Sequence, residues 1–395
     1  MELGLSLADL VAPQSLSEFF ENAWERDSRL AKIPEEIAEN LMRPSDVQYL
    51  SYSLSACLKD WLRLVKDARE LPESLYITGE GLVDVAKVNS AYRNGYTIQL
   101  SKAHKRWLPV ARLCRHLEHE FLASGIELRD RIGGHVYLTP PSAQGLGIHF
   151  DYMDVFVIQL AGEKRWKVWE WTDRLPVRQG TKLLPTDELP PLKWDLTLKK
   201  GDVLYIPRGV IHEACTTDQY SLHLSLSVYP ATWMDLLLPA LQASPLARSP
   251  IAPGVVCSEE KIAQAQATLR MLLDQLSQPD ALRRAISAVR SETLRRLDPL
   301  PADSMCGKKA DQDSITLNTR LCRTSTPFVL CDEDGTVCLK WSEGVLKAGA
   351  ANAAALSQLA STCSLDVRDI LLKGEDARVA LACQLIAAGL FMVPQ

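Results

Sequence analysis

Apolar positions recur along this chain with two periods, and the changes between them divide it. Residues 1–70 carry the helical period: Phe19, Phe20 and Trp24 behind a Ser15/Glu18 capping-box spacing, then Leu54, Leu58, Trp61, Leu62 and Val65. The aromatics are expected to be packing. From Leu75 to Leu100 the texture becomes strand-like, in Tyr76-Ile-Thr-Gly79, Leu82-Val-Asp-Val85 and Tyr96-Thr-Ile-Gln-Leu100, broken by glycine and asparagine turns. Residues 102–124 return to the helical period through Leu108, Leu113, Leu117 and Phe121, and His104, His116 and His119 decorate that helix. His116 and His119, three apart, have a spacing that could chelate a metal but no carboxylate strand around them, and are expected to be solvated surface histidines, as is His104.

Between about 130 and 230 short apolar runs alternate with glycine turns. His135–Leu138, 152–160, 164–171, 196–198, 202–206, 211–216 and 221–229 are expected strands, with turns at Gly162 and Gly201. Repeated short strands of this kind describe a jelly roll whose open mouth is a natural pocket. Helical spacing resumes over 240–300: Ser258 would cap a helix striped by Ile262, Leu269, Leu272, Leu273 and Leu276. Pro279 opens a second with Leu282, Ile286, Val289 and Leu297. A polar linker, 299–313, precedes a hairpin of Phe328–Cys331 and Val337–Trp341 about Asp334–Gly335, then helices near 351–361, 364–372 and 375–388. The expected class is α+β.

Candidate chemistry sits inside the jelly-roll stretch. His149 and Asp151 lie just ahead of the buried strand Val155–Leu160, and side chains two apart in extended chain share a side. A third ligand is expected from the unit Gly201–His212, where a glycine turn feeds a strand and Pro207-Arg-Gly209 delivers His212; His223 is a rival. Two histidines and one carboxylate form the facial triad that leaves positions open on iron(II).

Composition narrows the setting. The 395 residues are 47% apolar, enough for a sizeable core, and no run of eighteen apolar residues suggests a membrane span. Met1-Glu-Leu-Gly-Leu-Ser-Leu-Ala-Asp9 lacks a basic region, against a signal peptide. Ten cysteines without a Cys-x-x-Cys pair fit a reducing, cytoplasmic setting. A formal charge of −5 disfavours wholesale nucleic-acid binding and suits a basic protein partner.

Taken together, Ser15–Trp24, Gly134–His-Val-Tyr137, the His149/Asp151 pair, Gly162–Glu-Lys164–Arg-Trp166 and Pro207–His212 resemble the JmjC-type cupin oxygenases, and among them the ribosomal oxygenases. The resemblance implies a double-stranded β-helix with flanking helices over 1–240, a helical dimerisation region over 241–300 and a winged-helix-like end over 314–395. It implies iron(II) held by His149, Asp151 and His212, with 2-oxoglutarate and O2 as co-substrates. By family match Lys164, Tyr137 and Ser225 would receive the distal carboxylate of 2-oxoglutarate. The implied activity is hydroxylation of a histidine or arginine side chain on a basic ribosomal protein by a homodimer. Another peptide substrate and a non-catalytic scaffold stay open as alternatives, and nothing indicates the methylated lysine a demethylase needs. Relatives carry asparagine where this chain has His135, which bears on substrate choice. The winged-helix-like end holds six Lys/Arg against eight Asp/Glu from 321 to 395, a poor DNA-binding face.

Overall fold

The computed structural model describes residues 5–53, 61–171, 175–176, 189–251, 259–296 and 314–394, apart from 325, 327, 334–335, 342–343 and 350–351. The chain divides into two compact units, one of residues 1–120 with 132–229 and one of residues 121–131 with 230–395.

In chain order, α1 (Leu7–Val11), α2 (Leu16–Asn22), β1 (Arg29–Lys32), α3 (Glu35–Leu41), α4 (Pro44–Ser53), β2 (Leu62–Lys66), β3 (Arg69–Glu70), α5 (Val85–Arg93), β4 (Thr97–Leu100) and α6 (Leu108–Ala123) precede the barrel proper. That barrel comprises β5 (Gly133–Thr139), β6 (Asp154–Trp171), β7 (Leu192–Lys199), β8 (Asp202–Ile206), β9 (Val210–Cys215) and β10 (Ser221–Val228). The strand order is β1-β8-β6-β10-β5-β4-β2-β3, with β7 and β9 both joined to β6. Every pairing is antiparallel.

β6 corrects one expectation: Gly162 does not end a strand. Residues 154–162 pair with β10 and β8, while 163–171 pair with β7 and β9, so one strand passes through both layers. Gly162 makes the corner at φ 62°, and a Cβ there would lie 1.8 Å from the carbonyl oxygen of Tyr220. Only glycine fits. Along the first half of β6 the faces separate cleanly. Val155 and Val157 point into the barrel. Phe156 points outward to Phe19 and Tyr205, with ring centroids 6.0 and 4.9 Å away. Phe19 is fully buried, and Ser15 and Glu18 form the expected reciprocal cap. The aromatics of α2 are packing, as expected.

Three further expectations fail. Residues 1–70 are not all helical: Leu62 and Val65 lie in β2, because their neighbours find hydrogen-bond partners in β4, where Leu62 faces Leu100 and Leu64 faces Ile98. Leu54 and Leu58 lie outside the described residues. Leu82–Val85 contributes only a bridge between Ile77 and Val83 before the Asp84 side chain caps α5. His104 does not lie on α6 but in the short turn Ala103–Lys105 ahead of it, where its Nδ1 accepts the Gly134 amide at 3.0 Å. His116 is exposed beside Glu120, and His119 is half-buried.

The second unit contains α7 (Trp233–Ala243), α8 (Glu259–Ser277) and α9 (Pro279–Arg296). After these come β11 (Arg320–Arg323), β12 (Phe328–Glu333), β13 (Thr336–Trp341), β14 (Gly344–Ala348), α10 (Ala353–Ser361), β15 (Ser364–Asp366), α11 (Glu375–Ala387) and β16 (Phe391–Met392). The helix expected at 364–372 is instead β15 followed by a tight turn, because Leu365 and Val367 bury alternately while the backbone joins β11. Two three-stranded sheets result, β15-β11-β16 and β12-β13-β14. The Ser258 cap, Leu297, the 299–313 linker and the Asp334–Gly335 turn lie outside the described residues. No helix among the described residues is long and apolar enough to cross a membrane.

Candidate active site

The inner face of the barrel is assembled from alternate residues of four strands. On β5, His135, Tyr137 and Thr139 share one face while Val136 and Leu138 are buried on the other. Register sets Ser225 of β10 beside His135, and His223 beside Tyr137. Gln99 of β4 lies on the other side of Tyr137, and Gln159 of β6 on the other side of His223. A polar row, Gln99–Tyr137–His223–Gln159, therefore crosses the barrel floor.

A cavity of about 680 Å³ opens over this face and holds His149, Asp151, His212, Lys164, Tyr137, Ser225 and His135 among its lining. Every site residue expected from the sequence is thus in one place. Candidate ligand atoms of His149, Asp151 and His212 all lie within 4.8 Å of one another. The two histidine segments pair through their backbones, His212 donating to the His149 carbonyl at 2.8 Å and receiving the His149 amide at 3.1 Å. The Pro207–Gly209 turn is tied in as well, the Gly209 amide donating to the Asp151 carbonyl at 2.8 Å. His223 is not in the cluster.

Both candidate ligand rings are oriented from behind. Nδ1 of His149 lies 2.7 Å from the Gly147 carbonyl and Nδ1 of His212 lies 3.0 Å from that of Val210. A ring nitrogen facing a carbonyl carries the proton, which leaves Nε2 with the lone pair in each ring. The His212 Nε2 is 3.7 Å from Asp151 Oδ2. Burial, and then the charge His149 would carry, pull His212 down to about 4 against the opposing pull of Asp151. Both influences keep the imidazole neutral and able to ligate. Two neutral Nε2 atoms and a carboxylate fit iron(II) with positions left open.

Lys164 is a buried cation. It is 4% exposed, its Nζ donates to the Thr139 hydroxyl at 3.2 Å, and no carboxylate lies within ion-pair distance among the described residues. Burial lowers it to about 8. An ammonium left without a counter-charge inside a cavity is the complement of an anionic ligand. Burial, then the Asp151 charge, raise Tyr137, so its phenol keeps its proton.

Behind the site lies a network that sequence reasoning missed. The Tyr205 hydroxyl donates to Asp154 at 2.6 Å and accepts the Glu25 amide at 2.9 Å. Arg208, 5% exposed, lies 2.6 Å from the Glu25 carboxylate. Burial, then the Glu25 charge, push Asp154 up to about 7. Gln99, Thr139, Gln159 and Trp166 were missed too. The signal for two of them, Gln99 and Thr139, was the alternation of polar with apolar residues in Thr97-Ile-Gln-Leu-Ser101 and His135–Thr139.

Residues 105–236 match the JmjC domain family. The match covers a third of the chain and takes in the whole barrel from β5 to β10. Similar to it is the bifunctional lysine-specific demethylase and histidyl-hydroxylase NO66 of Drosophila persimilis, 30% identical over 59% of this chain and 34% of that protein. Ribosomal oxygenase 1 of Homo sapiens is 30% identical over 58% of this chain and 35% of that protein. The matched region spans about a third of these relatives' length. The solved structure of the Escherichia coli ribosomal oxygenase YcfD, in complex with cobalt and 2-oxoglutarate, has the same fold, with a TM-score of 0.56 at 19% identity, covering 97% of this chain and 99% of that one. In the JmjC fold the double-stranded β-helix is the barrel described above.

Proposed function

We propose that this protein is an iron(II)- and 2-oxoglutarate-dependent protein hydroxylase of the JmjC type. The observation that carries the reading is the pairing, in one cavity, of the His149/Asp151/His212 cluster with the buried, uncompensated Lys164. When bound, iron(II) with 2-oxoglutarate supplies the activation of O2 that an unactivated C–H bond requires.

The chain's own residues do the rest. His149, Asp151 and His212 hold the metal, and the carbonyls of Gly147 and Val210 retain the Nδ1 protons so that both Nε2 atoms stay available. Lys164 takes the distal carboxylate of the co-substrate, with Tyr137 as a second donor and Ser225, across from His135, beside them. Trp166, 5% exposed and 6.0 Å from the His212 ring, shields the inner wall from water. Half-buried Tyr152 and Tyr229, ring centroids 5.9 Å apart, line the cavity where an incoming side chain would be oriented.

The favoured substrate is a histidine or arginine side chain of a basic ribosomal protein, supported by the names of the relatives and by the formal charge of −5. A cytoplasmic site of action follows from that choice. The favoured assembly is a homodimer formed through the helices of 241–300, where Leu269 and Leu273, one turn apart on α8, are both 56% exposed. The 314–395 unit, with its net acidic charge, is read as a protein-contacting element rather than a DNA binder.

The test is succinate formation from 2-oxoglutarate with iron(II) in air, with and without a ribosomal-protein fraction. Turnover that the fraction stimulates, and that His212→Ala reduces by about a thousandfold or more, is the expected result. A folded protein that neither retains iron(II) nor turns over would leave a non-catalytic scaffold as the reading.

A further inference from the structure

His223 is buried, borders the cavity and has no place in the metal cluster. Its ring stacks on Tyr137 with centroids 4.8 Å apart and planes 9° from parallel, and meets Trp166 edge-on at 5.6 Å. Those two contacts fix the ring plane. Its Nδ1 is sealed from solvent with no hydrogen-bond partner among the described residues. Burial and the Lys164 charge hold the imidazole neutral, so it has a single N–H to give. Burying a bare acceptor is tolerated more readily than burying a bare donor, so the lone pair belongs on Nδ1 and the proton on Nε2.

The neighbours in the same row have already committed their donors. Gln99 Nε2 gives to the Tyr137 and Ser101 hydroxyls, both at 3.4 Å. Gln159 Nε2 gives to the Ser221 hydroxyl and the Ala161 carbonyl, both at 2.9 Å. His223 and the Tyr137 hydroxyl, stacked on one another, are the donors in the row left without an acceptor among the described residues, and the charge acting on His223 is the Lys164 ammonium that awaits an anion. A carboxylate offers about four lone-pair positions, more than Lys164 and Tyr137 fill.

We propose that His223 is a further co-substrate-binding residue, donating an N–H to the same distal carboxylate that Lys164 receives, so that it selects 2-oxo dicarboxylates over 2-oxo monocarboxylates. The inference rests on the 2-oxoglutarate reading above and adds to it a residue that sequence reasoning had weighed only as a metal ligand. His223 also anchors the Tyr137 ring, which gives the carboxylate end two donors in one rigid stack.

The test is calorimetric binding to the full chain loaded with manganese(II), without oxygen, of 2-oxoglutarate and of 2-oxovalerate, which has the same chain length and lacks the distal carboxylate. His223→Phe keeps the stack and removes both nitrogens. It should weaken 2-oxoglutarate by roughly 10- to 100-fold and leave 2-oxovalerate unchanged, while His223→Gln, which restores an N–H, recovers most of the loss. Should the phenylalanine variant not fold, His223→Leu serves the same comparison. Equal weakening of both ligands, or of neither, overturns the assignment. Wild-type protein that binds manganese(II) yet holds 2-oxoglutarate no tighter than 2-oxovalerate would instead sink the co-substrate reading itself.

Discussion

The interior of the barrel and the interior of the C-terminal region are buried to the same degree and built on opposite principles. From residue 314 onward, every buried side chain among the described residues is apolar, and all but Val329 and Cys338 belong to one cluster around Leu321, Leu339, Leu356, Leu385 and Phe391. Inside the barrel Thr97, Gln99, Thr139, His149, Gln159, Lys164, His212, Ser221 and His223 are all buried. Several of their polar atoms, Gln99 Oε1, Gln159 Oε1, Trp166 Nε1 and His223 Nδ1, lack partners. Burial of this kind costs stability unless a ligand completes it. One interior holds the fold together, and the other spends stability on a site.

Truncations should therefore differ in sign between the two. The largest effect is expected for Leu339→Ala in the C-terminal core, about 2–5 kcal/mol of lost stability on urea unfolding, because a fully buried leucine leaves a cavity. A loss below about 1 kcal/mol would mean that this core is loosely packed.

Asp154→Asn should come next, and as a change of slope. In the fold Asp154 keeps its proton up to about 7, whereas the unfolded chain releases it near 3.8. Between those values the folded state binds more protons, so its favourable contribution is complete below 3.8 and disappears as pH rises through 7. Relative to the asparagine variant, the wild type should lose about 2–4 kcal/mol between pH 4 and pH 8 in urea midpoints. Parallel curves would show that Asp154 is charged throughout.

The smallest effect carries the opposite sign. Lys164 is lowered from 10.5 to about 8, so the unfolded chain holds the extra proton between those values and wild-type stability rises with pH across that window. Lys164→Met should make the ligand-free protein about 1–3 kcal/mol more stable at pH 7 and abolish the slope from pH 8 to 10.5, while removing 2-oxoglutarate binding. A less stable methionine variant would erase the contrast between the interiors.

Much of the site was legible in the chain. His149 and Asp151, two apart ahead of an apolar run, had to share a side because a strand's side chains alternate, and Pro207-Arg-Gly209 ahead of His212 marked the turn that returns a third ligand. The helical expectation for Leu62 and Val65 failed because a short apolar run satisfies both periods, and the choice fell to hydrogen-bond partners on β4. Helix was likewise the wrong reading of 364–372, where pairing with β11 prevailed over local propensity.

By itself the sequence determined which residues could do chemistry and, through period-two alternation, which of them lie on a common face of their own strand. It could not say whether such a polar face meets water or closes over a cavity. That was decided by register: the bulge between Leu222 and His223 and the corner at Gly162 set His223 against Tyr137 and Gln159, and bring β6 round so that Lys164 buries beside Thr139. A slip of one residue would turn each of these side chains to the other face, and the energy that forbids it comes from Val136, Leu138, Leu222 and Leu224 packing outside the barrel floor, contacts made between strands far apart in the chain.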